Sequence, residues 1–188
     1  MKMIRPPDEH VLHREKKVNI PGNWGFIIPD NFILIQDTRE QNPLFDGSIP
    51  ITIIGHNLLH VKEKALKNGD YSIEGYEDLF CIERKQVSDF FSYIGSERTK
   101  TTAKMERFRE MQEKGGWVGL VIEATEQDLL NGYFRSKLEP NHVRGSLVSF
   151  EIRTGIHIYY SRDRSSILRY ILDRAIKFFN IKQEKSHE

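Results

Sequence analysis

The hydrophobic residues of the chain fall into short apolar runs separated by amphipathic stretches. Residues 32–35 and 117–122 are continuous apolar runs, which predict strands that are buried on both faces of a sheet. Residues 155–160 alternate in character and predict a further strand. Residues 163–179 repeat apolar side chains at helical spacing and predict an amphipathic helix. Strands that alternate with helices in this way predict an α/β domain.

A β-hairpin is predicted for residues 69–89, which read G-D-Y-S-I-E-G-Y-E-D-L-F-C-I-E-R-K-Q-V-S-D. Turn-forming residues at 75–78 separate two apolar stretches, as in a hairpin with a four-residue loop. If the two strands flank that loop symmetrically, Asp70 faces Glu83. Like charges directly across a strand pair are destabilising unless something neutralises them, and a divalent cation would do so. The hairpin also makes the predicted sheet mixed rather than wholly parallel.

The alternation of side chains along a strand gives this hairpin two different faces. Asp70, Glu83 and Lys85 lie on one face, while Arg84 points to the other side. Two carboxylates can bind a hard cation such as Mg²⁺, and a neighbouring lysine can orient or deprotonate the water that the metal activates. The opposite face is apolar and is expected to belong to the core: Tyr71, Ile73, Phe80 and Ile82.

Two helices are predicted directly after the hairpin, at residues 87–94 and 100–114. Asp89 lies in the first turns of the first helix, where it is expected to reach back to Arg84. The second helix has a basic face, and Arg98 lies just before it. Such a face can neutralise DNA phosphates, but the glutamates between its basic residues are equally typical of a solvated helix. The basic residues of this face are Lys100, Lys104, Arg107 and Lys114.

An acidic residue lies at the end of each continuous apolar run. Asp37 comes just after the first run and is expected at the edge of the sheet, beside the acidic pair. The alternative is that Asp37, Arg39 and Glu40 only cap a turn. Glu123 ends residues 117–122 in the same way, and it either lines the site or caps the helix that follows.

Composition and charge are those of an ordinary globular domain. The chain has 188 residues and a formal net charge of +1, so any DNA contact depends on an uneven distribution of charge. Cys81 is the only cysteine, which excludes an intramolecular disulfide and a thiolate zinc site. No apolar run approaches the ~18 residues of a membrane span. We therefore expect a cytoplasmic protein with no membrane partner.

Three motifs resemble the signature of a known enzyme family. Residues 37–40 (D-T-R-E), 69–71 (G-D-Y) and 83–89 (E-R-K-Q-V-S-D) are similar to the G-D-x(n)-E-R-K-x-x-x-D signature of XPF-type structure-specific endonucleases, which include the archaeal Hef nuclease. The sequence D-T-R-E-Q with Pro43 nearby most resembles the stand-alone phage and bacterial members. The resemblance implies the restriction-endonuclease-like fold, an α/β fold with a mixed sheet flanked by helices.

The resemblance also implies an activity and a set of site residues. It implies a Mg²⁺- or Mn²⁺-dependent endonuclease acting on branched or flapped DNA in repair, recombination or replication, with a homodimer or a partner subunit supplying structure specificity. The alternatives are a non-catalytic DNA-binding or scaffolding subunit, or a junction resolvase in a phage replication assembly. Catalytic roles are expected for Asp37, Asp70, Glu83, Arg84, Lys85 and Asp89. Metal ligands are expected at Asp37, Asp70 and Glu83, and DNA contacts at Arg39, Arg98, Lys100, Lys104 and Arg107.

The chain is interpreted as one domain with two short flanks. The resemblance covers residues 31–180, which we interpret as the nuclease domain. Residues 1–30 show no sustained hydrophobic period and are interpreted as an N-terminal extended arm. Residues 181–188 are interpreted as a polar tail.

Overall fold

The computed structural model describes residues 15–21, 25–46 and 56–185. Parts of the predicted arm and of the predicted tail, residues 1–14, 22–24 and 186–188, lie outside the described residues. The described strands are β1 (Glu15–Pro21), β2 (Ile33–Gln36), β3 (His56–Glu63), β4 (Tyr71–Ile73), β5 (Phe80–Lys85), β6 (Trp117–Ile122) and β7 (His157–Tyr160). The described helices are α1 (Val87–Ile94), α2 (Arg98–Glu113), α3 (Glu126–Leu130), α4 (Pro140–Thr154) and α5 (Arg164–Glu184).

The seven strands form one mixed sheet in the order β1-β3-β2-β4-β5-β6-β7. Strand β4 is antiparallel to both β2 and β5, while β5, β6 and β7 are mutually parallel. The carboxyl ends of β2, β5 and β6 therefore meet at one edge, together with the start of β4. Tyr71 pairs with Ile82, which is the register predicted for the hairpin. The mixed α/β sheet flanked by helices confirms the predicted fold class.

A hydrophobic core lies on each face of the sheet. On one face, α5 packs over residues that include Tyr71, Phe80 and Ile82, as the alternation along the hairpin predicted. On the other face, α1, α2 and α4 cover the intervening residues, which include Cys81 and Leu120. Since β5 is covered on both faces, its first five residues are buried. The polar residues at its carboxyl end, Glu83, Arg84 and Lys85, therefore lie on a strand that is packed between two cores.

Local signals set the helix boundaries near this edge. Thr125 and Asp128 form a capping box at the start of α3, which satisfies backbone donors at both positions. Helix α4 begins at Pro140 and is capped after Thr154 by Gly155, which adopts the left-handed conformation (φ 67°) that favours glycine. The Asp163 side chain accepts hydrogen bonds from the first turn of α5. None of the described helices has the length and apolar character that a membrane span requires.

Two segments extend the fold beyond the range assigned to the domain. Residues 15–21, assigned to the arm, form the edge strand β1, where Val18 and Ile20 are buried. Two buried positions are too few to reveal a strand by periodicity alone. Helix α5 continues to Glu184, four residues into the range assigned to the tail, because no glycine or proline interrupts it after Asn180.

Candidate active site

Gly69 positions the first carboxylate of the hairpin. Its φ is 72°, and a Cβ there would collide with the Cys81 sulfur and lie 2.9 Å from the carbonyl oxygen of Ile82, so only glycine fits. The Asp70 amide donates to the Ile82 carbonyl at 2.8 Å. The Arg84 amide donates to Asp70 Oδ2 at 2.6 Å. Asp70 is thus fixed beside the carboxyl end of β5.

Glu83 is the second carboxylate. Two lysines bind the same oxygen of its side chain. Its side chain is fully buried. Lys85 Nζ lies 2.6 Å and Lys104 Nζ 2.7 Å from Glu83 Oε1. Burial alone would raise the pKa of Glu83, but the charges of the two lysines lower it below its usual value. Glu83 therefore carries a negative charge balanced by positive neighbours.

Asp70 has the opposite electrostatic balance. Burial, followed by the negative charge of Glu83, raises the pKa of Asp70 to about 7. The Lys85 charge and the hydrogen bond from the Arg84 amide lower the pKa but do not outweigh these effects. The folded protein therefore holds one carboxylate whose negative charge is incompletely compensated.

This asymmetry predicts opposite stability effects for two isosteric replacements. Asp70→Asn removes an uncompensated charge, so in EDTA near pH 8 we expect a gain of ~1 kcal/mol, or about 2–4 °C in Tm. Because a raised pKa in the folded state costs stability only above the unfolded pKa, the gain should become small near pH 4, where Asp70 is protonated in the folded state and about half protonated in the unfolded state. Glu83→Gln should lower Tm instead, because Lys85 and Lys104 lose their counter-ion. Thermal unfolding at both pH values measures these shifts, and equal signs for the two variants would contradict the charge balance.

Each carboxylate keeps one oxygen available for a ligand. Glu83 Oε2 is buried and has no hydrogen-bond partner among the described residues. Asp70 accepts its described hydrogen bond through Oδ2, and no partner of Oδ1 is found among the described residues. Mg²⁺ is commonly held by one or two carboxylates together with waters and substrate phosphates, and this pair fits that requirement. Within residues 15–21, 25–46 and 56–185, no group of three or more His, Cys, Asp or Glu side chains converges on one point.

The Lys85 ammonium lies over the Tyr93 ring and is bound to Glu83. Its Nζ lies 5.3 Å from the centre of the Tyr93 ring, and Lys104 Nζ lies 5.9 Å from the same ring. Burial would lower the pKa of Lys85, but the charges of Glu83 and Asp70 raise it above its usual value. Lys85 is therefore protonated at neutral pH, and it can orient a water or a phosphate oxygen rather than remove a proton.

Asp37 lies beside Asp70 along the backbone, but its carboxylate is fully occupied. The Asp37 amide donates to the Asp70 carbonyl at 2.8 Å. Its carboxylate accepts four hydrogen bonds, three from Arg39 and one from the Leu66 amide. Burial would raise the pKa of Asp37, but these bonds hold it below its ordinary value. These contacts match the alternative prediction, in which Asp37 only caps a turn. They leave no free carboxylate oxygen for a metal.

Arg84 points away from the acidic pair, as the strand alternation predicted. Its guanidinium lies 3.4 Å from Glu40 and 3.3 Å from Glu123, and it donates to the Asn42 carbonyl at 2.7 Å. The predicted contact between Arg84 and Asp89 is wrong. Helix α1 covers the opposite face of the sheet, so the exposed Asp89 cannot reach the guanidinium.

The predicted DNA contacts separate into two groups. Lys104 and Arg107 turn toward the site, where Lys104 binds Glu83 and Arg107 donates to the Asn68 side chain at 3.0 Å. The remaining residues of that set lie at the surface: Arg98, Lys100 and, despite its bonds to Asp37, Arg39. Asn68 and Tyr93 were not predicted from the sequence as site residues, and neither was the contact between Lys104 and Glu83.

Comparisons with known proteins give one domain family and solved structures of the same fold. The profile of the ERCC4 domain matches residues 36–173. XPF from Aeropyrum pernix shares the fold at 17% identity with a TM-score of 0.52, over 74% of this chain and 59% of that chain. XPF from Aeropyrum pernix in complex with DNA matches at 18% identity with a TM-score of 0.55, over 80% of this chain and 66% of that chain.

These matches differ in what they establish. The chain spans about three fifths of the length of the first XPF chain, and at these identities the structural likeness concerns the fold. A comparison with curated proteins found no match. The domain profile covers most of the chain and includes the acidic pair, Lys85 and Lys104. The protein therefore belongs to the ERCC4 domain family.

Proposed function

We propose that the protein is a metal-dependent DNA endonuclease that hydrolyses phosphodiester bonds at branched or flapped DNA. The observation that supports this most strongly is the pair formed by Asp70 and Glu83, each with a carboxylate oxygen that has no hydrogen-bond partner among the described residues. Membership of the ERCC4 domain family and the fold shared with a DNA-bound XPF support the same substrate class. A second subunit would supply selectivity for branched DNA.

Asp70 Oδ1 and Glu83 Oε2 are the atoms that would hold Mg²⁺ or Mn²⁺. When bound, such an ion lowers the pKa of a water and polarises the phosphate. The carboxylates contribute their charge, and the ion would stabilise Asp70 most, because the Asp70 charge is incompletely compensated in the folded protein. The Arg84 carbonyl oxygen, between Glu83 and Lys85 in sequence, remains a further candidate ligand.

Lys85 would orient the attacking water and stabilise the negative charge that develops on the phosphate. Its ammonium is already fixed by Glu83 and lies over the Tyr93 ring, so little reorganisation is needed when the substrate arrives. Lys104 shares the same Glu83 oxygen. We propose that Lys104 balances the Glu83 charge in the free enzyme and contacts a phosphate when DNA binds.

The other predicted catalytic residues act by positioning the acidic pair. Asp37 and Arg39 fix the backbone from which Asp70 projects. Arg84 joins β5 to Glu40 and Glu123 on the far face of the sheet. Asp89 lies nearer to Lys85, whose pKa it raises slightly, and it would act through that lysine.

A substrate panel tests the proposed activity. The wild-type protein is incubated with flap, fork, nicked and linear DNA in Mg²⁺, in Mn²⁺ and in EDTA. We expect cleavage of flap or fork DNA in either metal, slower cleavage of linear duplex, and none in EDTA. Cleavage that persists in EDTA, or the absence of cleavage in both metals, would overturn the proposal.

A further inference from the structure

A groove with a volume of about 490 Å³ lies between α2 and α4, next to the acidic site. Arg98 and Thr102 line it from α2, while Ser149 and Arg153 line it from α4. Tyr93 connects the two regions, because it lines the groove and its ring lies 5.3 Å from Lys85 Nζ. A molecule in the groove would therefore lie one side chain away from Lys85, at the edge of the acidic site.

The lining of the groove carries positive charge and no carboxylate. Among the described residues, the Arg153 guanidinium and the hydroxyl groups of Ser146 and Ser149 have no hydrogen-bond or ion-pair partner. Arg98 has only a long contact of 3.4 Å to His142. These donors are unused within the protein, and phosphate oxygens are the acceptors that such a set binds best.

Gly145 provides a second and independent indication of a ligand. It lies within α4 and lines the groove, yet a Cβ at this position would meet nothing within 4 Å. Glycine inside a helix costs roughly 0.5–1 kcal/mol relative to alanine, and no packing inside the chain requires it here. A glycine in such a place allows another molecule to approach the backbone closely.

The size of the groove selects the kind of DNA that fits. Pockets of about 300–1,000 Å³ enclose molecules the size of a nucleotide, whereas a double helix is far too wide to enter. An unpaired nucleotide can place its phosphate on the arginines and its base against the apolar floor, where Met105 and Phe150 lie.

We propose that the groove between α2 and α4 binds a single-stranded segment of the DNA substrate and guides it past Tyr93 to the acidic pair. This assignment rests on the proposed endonuclease function and specifies which part of a branched substrate the protein holds. The groove contacts the backbone and one unpaired nucleotide, so binding is independent of base sequence.

Two groove variants and one matched control test the assignment. Gly145→Phe fills the groove, and Arg153→Glu reverses the charge at its rim. Arg144→Glu makes the same charge reversal on α4, at an exposed position that does not line the groove. Binding of labelled flap DNA and of duplex without a flap is measured by fluorescence anisotropy in EDTA, which prevents metal-dependent cleavage.

Both groove variants should bind flap DNA about 10-fold more weakly. For Arg153→Glu, the slope of log affinity against log salt concentration should also decrease in magnitude by about one. Duplex binding should change by less than about 2-fold in all three variants, as should flap binding in Arg144→Glu. The Tm of Gly145→Phe should not fall, because its side chain enters open space and removes a helical glycine.

The binding and cleavage results together test the groove assignment separately from the endonuclease proposal. Wild-type-like flap binding by both groove variants would overturn the groove assignment, as would equal losses for flap and duplex. If the binding results contradict the groove assignment but the wild-type protein cleaves flap DNA in Mg²⁺, only the groove assignment fails. If the wild-type protein cleaves nothing but the variants lose flap binding alone, the groove assignment holds and the endonuclease proposal fails.

Discussion

Asp70→Asn and Glu83→Gln are each expected to abolish cleavage of flap DNA, with a loss of at least ~10³-fold in rate. Both replacements keep the size of the side chain and replace one of the two carboxylate oxygens that have no described hydrogen-bond partner. The remaining carboxylate cannot hold the cation alone. Cleavage is measured with purified protein and labelled flap DNA in Mg²⁺ and in Mn²⁺.

Two surface residues provide matched controls. Asp173→Asn and Glu110→Gln make the same chemical changes at exposed positions on α5 and α2 and should cleave at the wild-type rate. Each site variant should still unfold cooperatively, so that a loss of activity is not a loss of fold. Cleavage that survives in either site variant at more than a few per cent would exclude that carboxylate as a required ligand.

Lys85→Met is expected to reduce the cleavage rate by about 10²-fold, the usual size of an effect from a positioned proton-transfer or orienting group. The ammonium of Lys85 is fixed by Glu83 and lies near Asp70, so it is placed to orient a water between them. Methionine retains the packing against Tyr93 but removes the charge. Single-turnover cleavage of flap DNA measures the chemical step directly.

The variant set separates orientation from charge. Lys85→Arg keeps the positive charge but changes its geometry, so it should recover only part of the rate. Lys177→Met, at an exposed position on α5, should cleave like the wild-type protein. A Lys85→Met variant with full activity would show that another group orients the water, and Lys104 is the nearest candidate because it shares Glu83 Oε1.

The hairpin could be predicted from the sequence because its signals are local. Turn residues at 75–78 fix the register, and the alternation along β4 and β5 assigns each side chain to a face. The observed pairing of Tyr71 with Ile82 follows from these two facts. The direction of Arg84 also follows from them, and so does the convergence of Lys85 on Glu83.

Other elements depend on partners that are distant in the chain. Strand β3 lies between β1 and β2, but its outward residue Leu58 is exposed and apolar, which obscures the alternation of a strand. Strand β1 is defined by its pairing with β3. Neither segment has a sustained hydrophobic period of its own, so local pattern does not reveal them.

Several contacts of the site could not be predicted, because they also join residues that are distant in the chain. Lys104 is 21 positions from Glu83, and Arg107 is 39 from Asn68, so their contacts depend on how α2 packs over the sheet. The basic face of α2 indicated DNA and could not indicate an internal counter-ion. Asp37 was correctly placed at the sheet edge, but the bonds from Arg39 and Leu66 that occupy its oxygens follow from the folded turn.

Binding of Mn²⁺ tests the central claim most directly, because it needs neither DNA nor turnover. Electron paramagnetic resonance of a Mn²⁺ titration reports free metal ions, and calorimetry reports the number bound. We predict one site in the wild-type protein, lost in Asp70→Asn and in Glu83→Gln and retained in Asp173→Asn and Glu110→Gln. Unchanged Mn²⁺ binding in both site variants would contradict the claim that Asp70 and Glu83 hold the catalytic metal together.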